Sequence, residues 1–151
     1  VSEALSAIFE SIDRLFMSCT IDFDLLSEAD ICQEWFDDYN NQRVVNSFLF
    51  NYTKIQDKIG AKLFRQVLLA LREVSDASVP MIDLLNLLEK LGLIESTEQW
   101  DRLREIRNAI AHEYPADVQE RIDNILLALS GFESLRHIYV NIKSYMQSKM
   151  R

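Results

Sequence analysis

Arg107, Asn108, His112 and Tyr114 fall in the stretch Arg107-Asn108-Ala109-Ile110-Ala111-His112-Glu113-Tyr114, which Pro115 closes. Together they offer a permanent cation, an amide, an imidazole and a phenol. A guanidinium stays charged at any physiological pH and can fork onto a phosphate or a carboxylate. An imidazole titrates near pH ~6.5, so it can accept or donate a proton around neutrality. The chain holds only two histidines, and His112 is the one set among other reactive groups. The set suits proton transfer next to an anionic substrate. The same residue types near the end of a helix also cap carbonyls and complement the helix dipole, a purely structural use.

The element that must carry these residues is a helix. Ser96 followed three residues later by Gln99 fits a capping box, and Glu98 suits the positive end of the helix. Trp100, Leu103, Ile106, Ile110 and Tyr114 recur at helical spacing, and Pro115 predicts the end. At about 100° per residue, the apolar arc centres on Leu103, Ile110 and Tyr114. Arg107 lies at its edge, and Ala111, Arg104, Asn108 and finally His112 follow as a second, mostly cationic stripe. Arg107 and His112 stand about 140° apart on an ideal helix. One regular helix cannot aim both at one point. A distorted last turn would bring them together, and so would two copies meeting across a two-fold axis.

The spacing R-x4-H-x-Y, read in Arg107, His112 and Tyr114 with Asn108 after the arginine, resembles the signature of the HEPN superfamily. Its tighter form is similar to that of the HepT-like toxins, which are paired with a small nucleotidyltransferase antitoxin. The stretch Ile55–Phe64 is similar to the second-helix segment of those proteins. The resemblance covers the helices from about Asn41 to the C-terminus, and no family pattern precedes Asp37. It implies an all-α, HEPN-like bundle, a homodimer and metal-independent endoribonuclease activity with no cofactor. It also implies a nucleotidyltransferase partner. Arg107 and His112 are then the catalytic residues, with Asn108 and Arg104 in support. His112 would move protons while the 2′-hydroxyl attacks the adjacent phosphate, Arg107 would steady the added charge, and the product would be a 2′,3′-cyclic phosphate. Tyr114 would accept AMP from the antitoxin, and the added charge and bulk would silence the groove.

Composition bounds this reading. The 151 residues predict one domain, residues 1–151, long enough to bury a core unaided. Apolar residues make up 48%, while three glycines and two prolines leave few breakers, which disfavours disorder and many-turned β folds. A net charge of −8 excludes a broad basic surface for nucleic acid, so any RNA contact needs a local cationic groove. A dimer that doubles Arg104, Arg107 and His112 along one groove would supply it. Cys19, Cys32 and two histidines offer no zinc spacing, and buried reduced thiols are the expectation. With neither a leader nor a long apolar run in the sequence, a cytoplasmic chain without membrane contact is expected.

The periodicity predicts an up-and-down bundle of four to five helices. Ser2 caps the first, which runs to about Cys19 on a stripe of Leu5, Ile8, Phe9, Ile12, Leu15 and Phe16. From Thr20 to Asp38 the pattern is acidic and irregular, with Ser27 a candidate cap for a short helix through Phe36. These carboxylates read as a solvated face rather than a metal site. A long helical pattern starts at Asn41, and Gly60 marks a possible kink. Asp57 either faces the site or is a surface carboxylate spaced for Lys54 or Lys58. After a loop over Ser75 to Val79, Ser78 and Pro80 open a short helix that Gly92 stops. The motif helix follows, then a last helix from Asp117, in which Gly131 is a candidate bend. His137 reads as a surface or packing residue. Two other functions fit the same sequence: a non-catalytic nucleotide-binding or scaffold subunit beside a nucleotidyltransferase, and a plain helical dimerisation module.

Overall fold

The computed structural model describes residues 2–111 and 117–149. Among them the chain is all-helical, and its buried side chains form one contiguous cluster. The helices are α1 (Glu3–Glu28), α2 (Gln33–Asp37), α3 (Tyr39–Lys58), α4 (Phe64–Ala70), α5 (Met81–Lys90), α6 (Thr97–Ala111) and α7 (Val118–Lys149). A π-helical turn, Ile59–Leu63, joins α3 to α4 without a break. Counting that joined unit once and setting aside the five-residue α2, five substantial helices build the bundle.

Ser2 caps α1 as expected, its Oγ accepting from the Leu5 N–H at 3.2 Å. The helix does not stop at Cys19 but continues to Glu28, where 19, 23 and 26 extend the buried line of 5, 9, 12 and 16. The alternating steps of three and four are those of one helix face. The Asp24 and Glu28 carboxylates are exposed on the solvent side of that same helix, and Asp22 is half-buried beside the stripe. Ser27 therefore lies inside α1 and caps nothing downstream. The short helix starts after Cys32, and Asp38 caps α3 by accepting from the Asn40 N–H at 2.8 Å. The Asn41 and Gln42 side chains donate back to the Trp35 and Phe36 carbonyls, both at 2.8 Å, closing the end of α2. Cys19 is buried and reduced as expected, whereas Cys32 is exposed.

Gly60 sits in the π-turn and lets another ring approach. A Cβ there would stand 2.9 Å from Cζ2 of the Trp100 indole, which packs edge-on against Phe64. The predicted kink is thus a widened turn with a packing reason. Pro80, not Ser78, precedes α5. Ser78 instead turns back to Asp76, with its N–H 2.8 Å from the carboxylate. Gly92, at φ 72°, ends α5, and Leu93 N–H returns to the Leu88 carbonyl at 2.9 Å, the geometry a glycine terminator provides. The remaining long helix, α7, packs against α1, α3 and α6 along Ile122, Ile125, Phe132, Leu135 and Ile142. Gly131 leaves the helix uninterrupted. Its missing side chain makes room for the Tyr52 hydroxyl, which would lie 2.4 Å from a Cβ.

Three buried acids tie this core to pH. Burial first, and then the Asp22 charge, push the Cys19 thiol up to about 12. Burial, then Cys19, pushes the Tyr52 phenol up, and burial, then Asp13, does the same for Tyr139. All three prefer to stay protonated when folded. Their contribution is complete below the unfolded-state values, near pH ~8.5 for cysteine and ~10 for tyrosine. It is lost as pH rises through the folded values. Unfolding free energy should therefore fall above about pH 9, by at most about 1.4 kcal/mol per pH unit for each group. Urea melts from pH 7 to 11 check this. A flat profile to pH 11 would contradict the burial of these groups.

Candidate functional site

The motif helix α6 starts with Ser96 as its cap, the Oγ accepting from the Gln99 N–H at 3.1 Å. The Gln99 side chain reaches one residue farther back than a simple capping box, accepting from the Glu95 N–H at 3.0 Å. Trp100 and Leu103 are buried, anchoring the first turns on the π-turn and the core. The rest of the helix then runs beside α3 with its polar edge outward.

Arg107 stands at the seam between α6 and α3. Its Nε and Nη2 donate to the two carboxylate oxygens of Asp57 at 3.0 and 2.9 Å, a bidentate fork. The arginine side chain is 29% exposed and the aspartate 53%, so the pair opens to solvent on one side. Hydrogen bonding by Asp57 pushes the guanidinium above its ordinary pKa, against a smaller opposing effect of partial burial. Holding Nε and Nη2 fixes the plane of the fork and leaves the Nη1–Nη2 edge outside the pair, a geometry suited to a second anion. Asn108 is exposed one residue on. Arg104 pairs with Asp101 on its own helix at 2.8 Å, its side chain 58% exposed. Exposed pairs of this kind are worth about 0–1 kcal/mol, so an arriving phosphate can displace the aspartate. His112 and Tyr114 lie outside the described residues, as does Pro115.

Asp57 is the residue that local spacing misplaces. Neither lysine expected to pair with it does so. Lys54 places its ammonium 4.5 Å from the centroid of the Phe50 ring, and Lys58 donates to Ser11 on α1. The carboxylate instead spans fifty positions of sequence to reach Arg107.

A cleft of about 390 Å³ opens beside this pair, between α3, the end of α6 and the start of α7. On α3 it begins with Thr53 and Lys54, one turn before Asp57; on α6 it takes in Ile110 and Ala111, one turn after Arg107. The two helices therefore run antiparallel here, and the ion pair sits about 5 Å, one helical pitch, from the cleft. Leu49, Ile110 and Ile125 give it an apolar floor, and Asn46, Asn124 and Arg121 bring polar groups to the walls. The Arg121 guanidinium also lies 4.3 Å over the Phe36 ring. One signal of this cleft was in the sequence. Phe50 is 61% exposed on an otherwise polar helix face, an aromatic that the core does not use. His137 is exposed on α7.

Among the described residues, no group of three or more histidine, cysteine or acidic side chains is arranged to hold a metal ion, and no helix is long and apolar enough to cross a membrane. Comparison of the chain with family models, curated proteins and solved structures gives no match.

Proposed function

We propose that this chain is the toxin half of a toxin–antitoxin pair: a cytoplasmic, metal-independent endoribonuclease that works as a homodimer. The observation that carries the reading is the Arg107–Asp57 fork, which presents an oriented guanidinium at an open seam, at the residue that opens the R-x4-H-x-Y spacing of the sequence. In this mechanism one His112 takes the proton from a ribose 2′-hydroxyl as that oxygen attacks the adjacent phosphorus. Arg107 steadies the extra charge on the phosphate oxygens. The P–O5′ bond breaks, and the departing O5′ takes a proton from the His112 of the second copy. The products are a 2′,3′-cyclic phosphate and a 5′-hydroxyl. Asn108 and Arg104 support the phosphate at the groove. Two copies meeting along α6 would double the cations and so offset the acidity of the rest of the surface.

Asp57 acts in this scheme as a positioning residue. Asp57→Asn keeps its size but removes the charge that fixes the guanidinium plane. It should lower kcat by about 10–10² through misorientation while moving KM little. Its thermal midpoint should stay near that of the wild type, since the exposed pair contributes at most about 1 kcal/mol. A fall in stability without a change in kcat would reduce the pair to a surface salt bridge.

Tyr114 is proposed as the acceptor of AMP from the partner nucleotidyltransferase, its phenol oxygen attacking the α-phosphorus of ATP with release of pyrophosphate. The resulting phosphodiester would compete with RNA for Arg107. After co-expression with that partner, the intact mass of the wild type should rise by one adenylyl group, and that of Tyr114→Phe should not. Equal gains in both would exclude Tyr114. The reading as a whole rests on incubation of the purified protein with RNA in excess chelator. Cleavage leaving cyclic phosphate ends is expected, and the absence of cleavage, or products ending in a 3′-hydroxyl, would rule it out. One observation favours a second reading. Asp57 already occupies one edge of Arg107, as it would in a non-catalytic nucleotide-binding or scaffold subunit, and that protein would bind its partner without cutting RNA.

A further inference from the structure

The geometry points to the cleft between α3, α6 and α7 as a pocket for one unstacked nucleobase of single-stranded RNA, next to the cleaved phosphate. The inference rests on the proposed ribonuclease reading and names how that site would select its substrate.

Five features carry it. The cleft, at about 390 Å³, is of the size for one base with part of its ribose, and it is open to solvent on one side. Its lip bears the 61% exposed Phe50 ring, a flat apolar face of the kind on which bases stack in single-strand recognition. Lys54 lies over one face of that ring, its ammonium 4.5 Å from the centroid, so a base stacks on the opposite face and the positive charge stands beside its sugar–phosphate chain. Asn124 stands in the wall, and its amide has no hydrogen-bond partner among the described residues. An amide offers a donor and an acceptor together, the pairing that reads the edge of a base. The near edge of the cleft is about one helical pitch from Arg107, and Phe50 stands seven residues, about 10 Å, before Asp57 on α3, so one to two nucleotides join a phosphate at Arg107 to a base on Phe50.

An apolar side chain from another protein would also fit the floor. It would bring no anion to the Lys54 charge and no partner to the Asn124 amide, and for that reason the nucleobase is the occupant assigned.

The test uses the full chain and four uncleavable 2′-O-methyl tetranucleotides, one of each base, titrated against the intrinsic tryptophan fluorescence of a Trp100→Phe background, which isolates Trp35, whose ring lies 6.0 Å from that of the cleft residue Phe36. One base should bind at least about tenfold better than the weakest. Phe50→Ala should weaken that oligonucleotide by tenfold or more, as loss of one base–aromatic stack does. Phe50→Tyr, which keeps a stacking ring, should restore it. Asn124→Ala should narrow the spread among the four bases, whereas Arg107→Ala should weaken all four alike. Phe50 and Asn124 are not core residues, so unchanged melting curves are expected and confirm folded variants. Equal binding of all four bases, or no effect of Phe50→Ala, overturns the pocket. So does a Phe50→Ala protein that loses a protein partner while its oligonucleotide binding is intact. Failure of the ribonuclease reading looks different: base-selective binding persists, but natural RNA of the same sequence is never cut. Cleavage that is indifferent to Phe50 shows the reverse, a ribonuclease without this pocket.

Discussion

Arg107→Ala should lower RNA cleavage by about 10²–10³, the usual loss when a preorganised charge donor to a transition state is removed. His112→Ala should cost about 10²–10⁴, the range for a general acid or base. The two losses arise differently, and the kinetics separate them. Arg107 acts on phosphate charge, so its removal should raise KM as well as lower kcat. Lys in its place should restore the charge but not the bidentate fork with Asp57, leaving activity well below that of the wild type. His112 acts on protons, so its removal should flatten the pH dependence of kcat around neutrality and leave KM nearly unchanged. Combining the two should cost less than the product of the single losses, because residues of one catalytic unit are not additive. Arg107 is only partly buried and pairs at the surface, so a folded Arg107→Ala protein is expected by circular dichroism. A folded His112→Ala protein that cuts RNA at the wild-type rate would remove that residue from the mechanism.

Gly131→Ala should be the most destabilising single-methyl change in the chain. The new Cβ would stand 2.4 Å from the Tyr52 hydroxyl and 3.2 Å from its ring carbon, with Ile106 Cδ1 at 3.3 Å. Tyr52 is fully buried and cannot swing away. Overpacking of this kind costs about 1–3 kcal/mol, and a clash with a locked ring belongs at the upper end. At this chain length that lowers Tm by several degrees, at about 2–4 °C per kcal/mol. Tyr52→Phe should be neutral or stabilising, because its hydroxyl is buried with no hydrogen-bond partner among the described residues. The same change removes the nearest clashing atom, so Tyr52→Phe should recover much of the Gly131→Ala loss, with a coupling of about 1–2 kcal/mol. Urea titrations of the four proteins measure the cycle. Strict additivity would show that helix α7 shifts to accommodate the methyl group and that the contact does not restrain it.

How far the fold could be read in advance depended on the range of the signal. Helix periodicity is local, and it placed the starts of α3, α5, α6 and α7 to within a few residues. It also continued through Cys19, Phe23 and Leu26, but the carboxylates between them look like a break until the two faces of one helix are separated. The Ser96 cap was legible because both partners lie within a turn. The Ser78 cap failed because Asp76, two residues earlier, captures its N–H and hydroxyl. Range also explains Asp57. Spacing within one helix offers it Lys54 and Lys58, while its actual partner comes from another helix that only packing brings near. The cleft is built from three helices in the same way, so its lining had no sequence pattern beyond the misplaced Phe50. The two glycines at helix interiors read as bends, because a sequence records a missing side chain but not the ring that fills the space.

The π-turn at Ile59–Leu63 has a consequence for how chains with this architecture compare. There the Phe64 N–H bonds to the Ile59 carbonyl, five residues back instead of four. The turn is therefore equivalent to a single residue inserted in an otherwise regular helix. Everything after it is rotated by about 100° relative to an uninterrupted count from Asp57. Seven residues of regular helix would stack Asp57 and Phe64 on one face; the turn instead offsets Phe64, which meets Trp100, by about 100° from Asp57, which meets Arg107. A protein with the same bundle but a regular helix here would match this one only with a one-residue gap in mid-helix, and its apolar positions would be out of phase on one side of that gap.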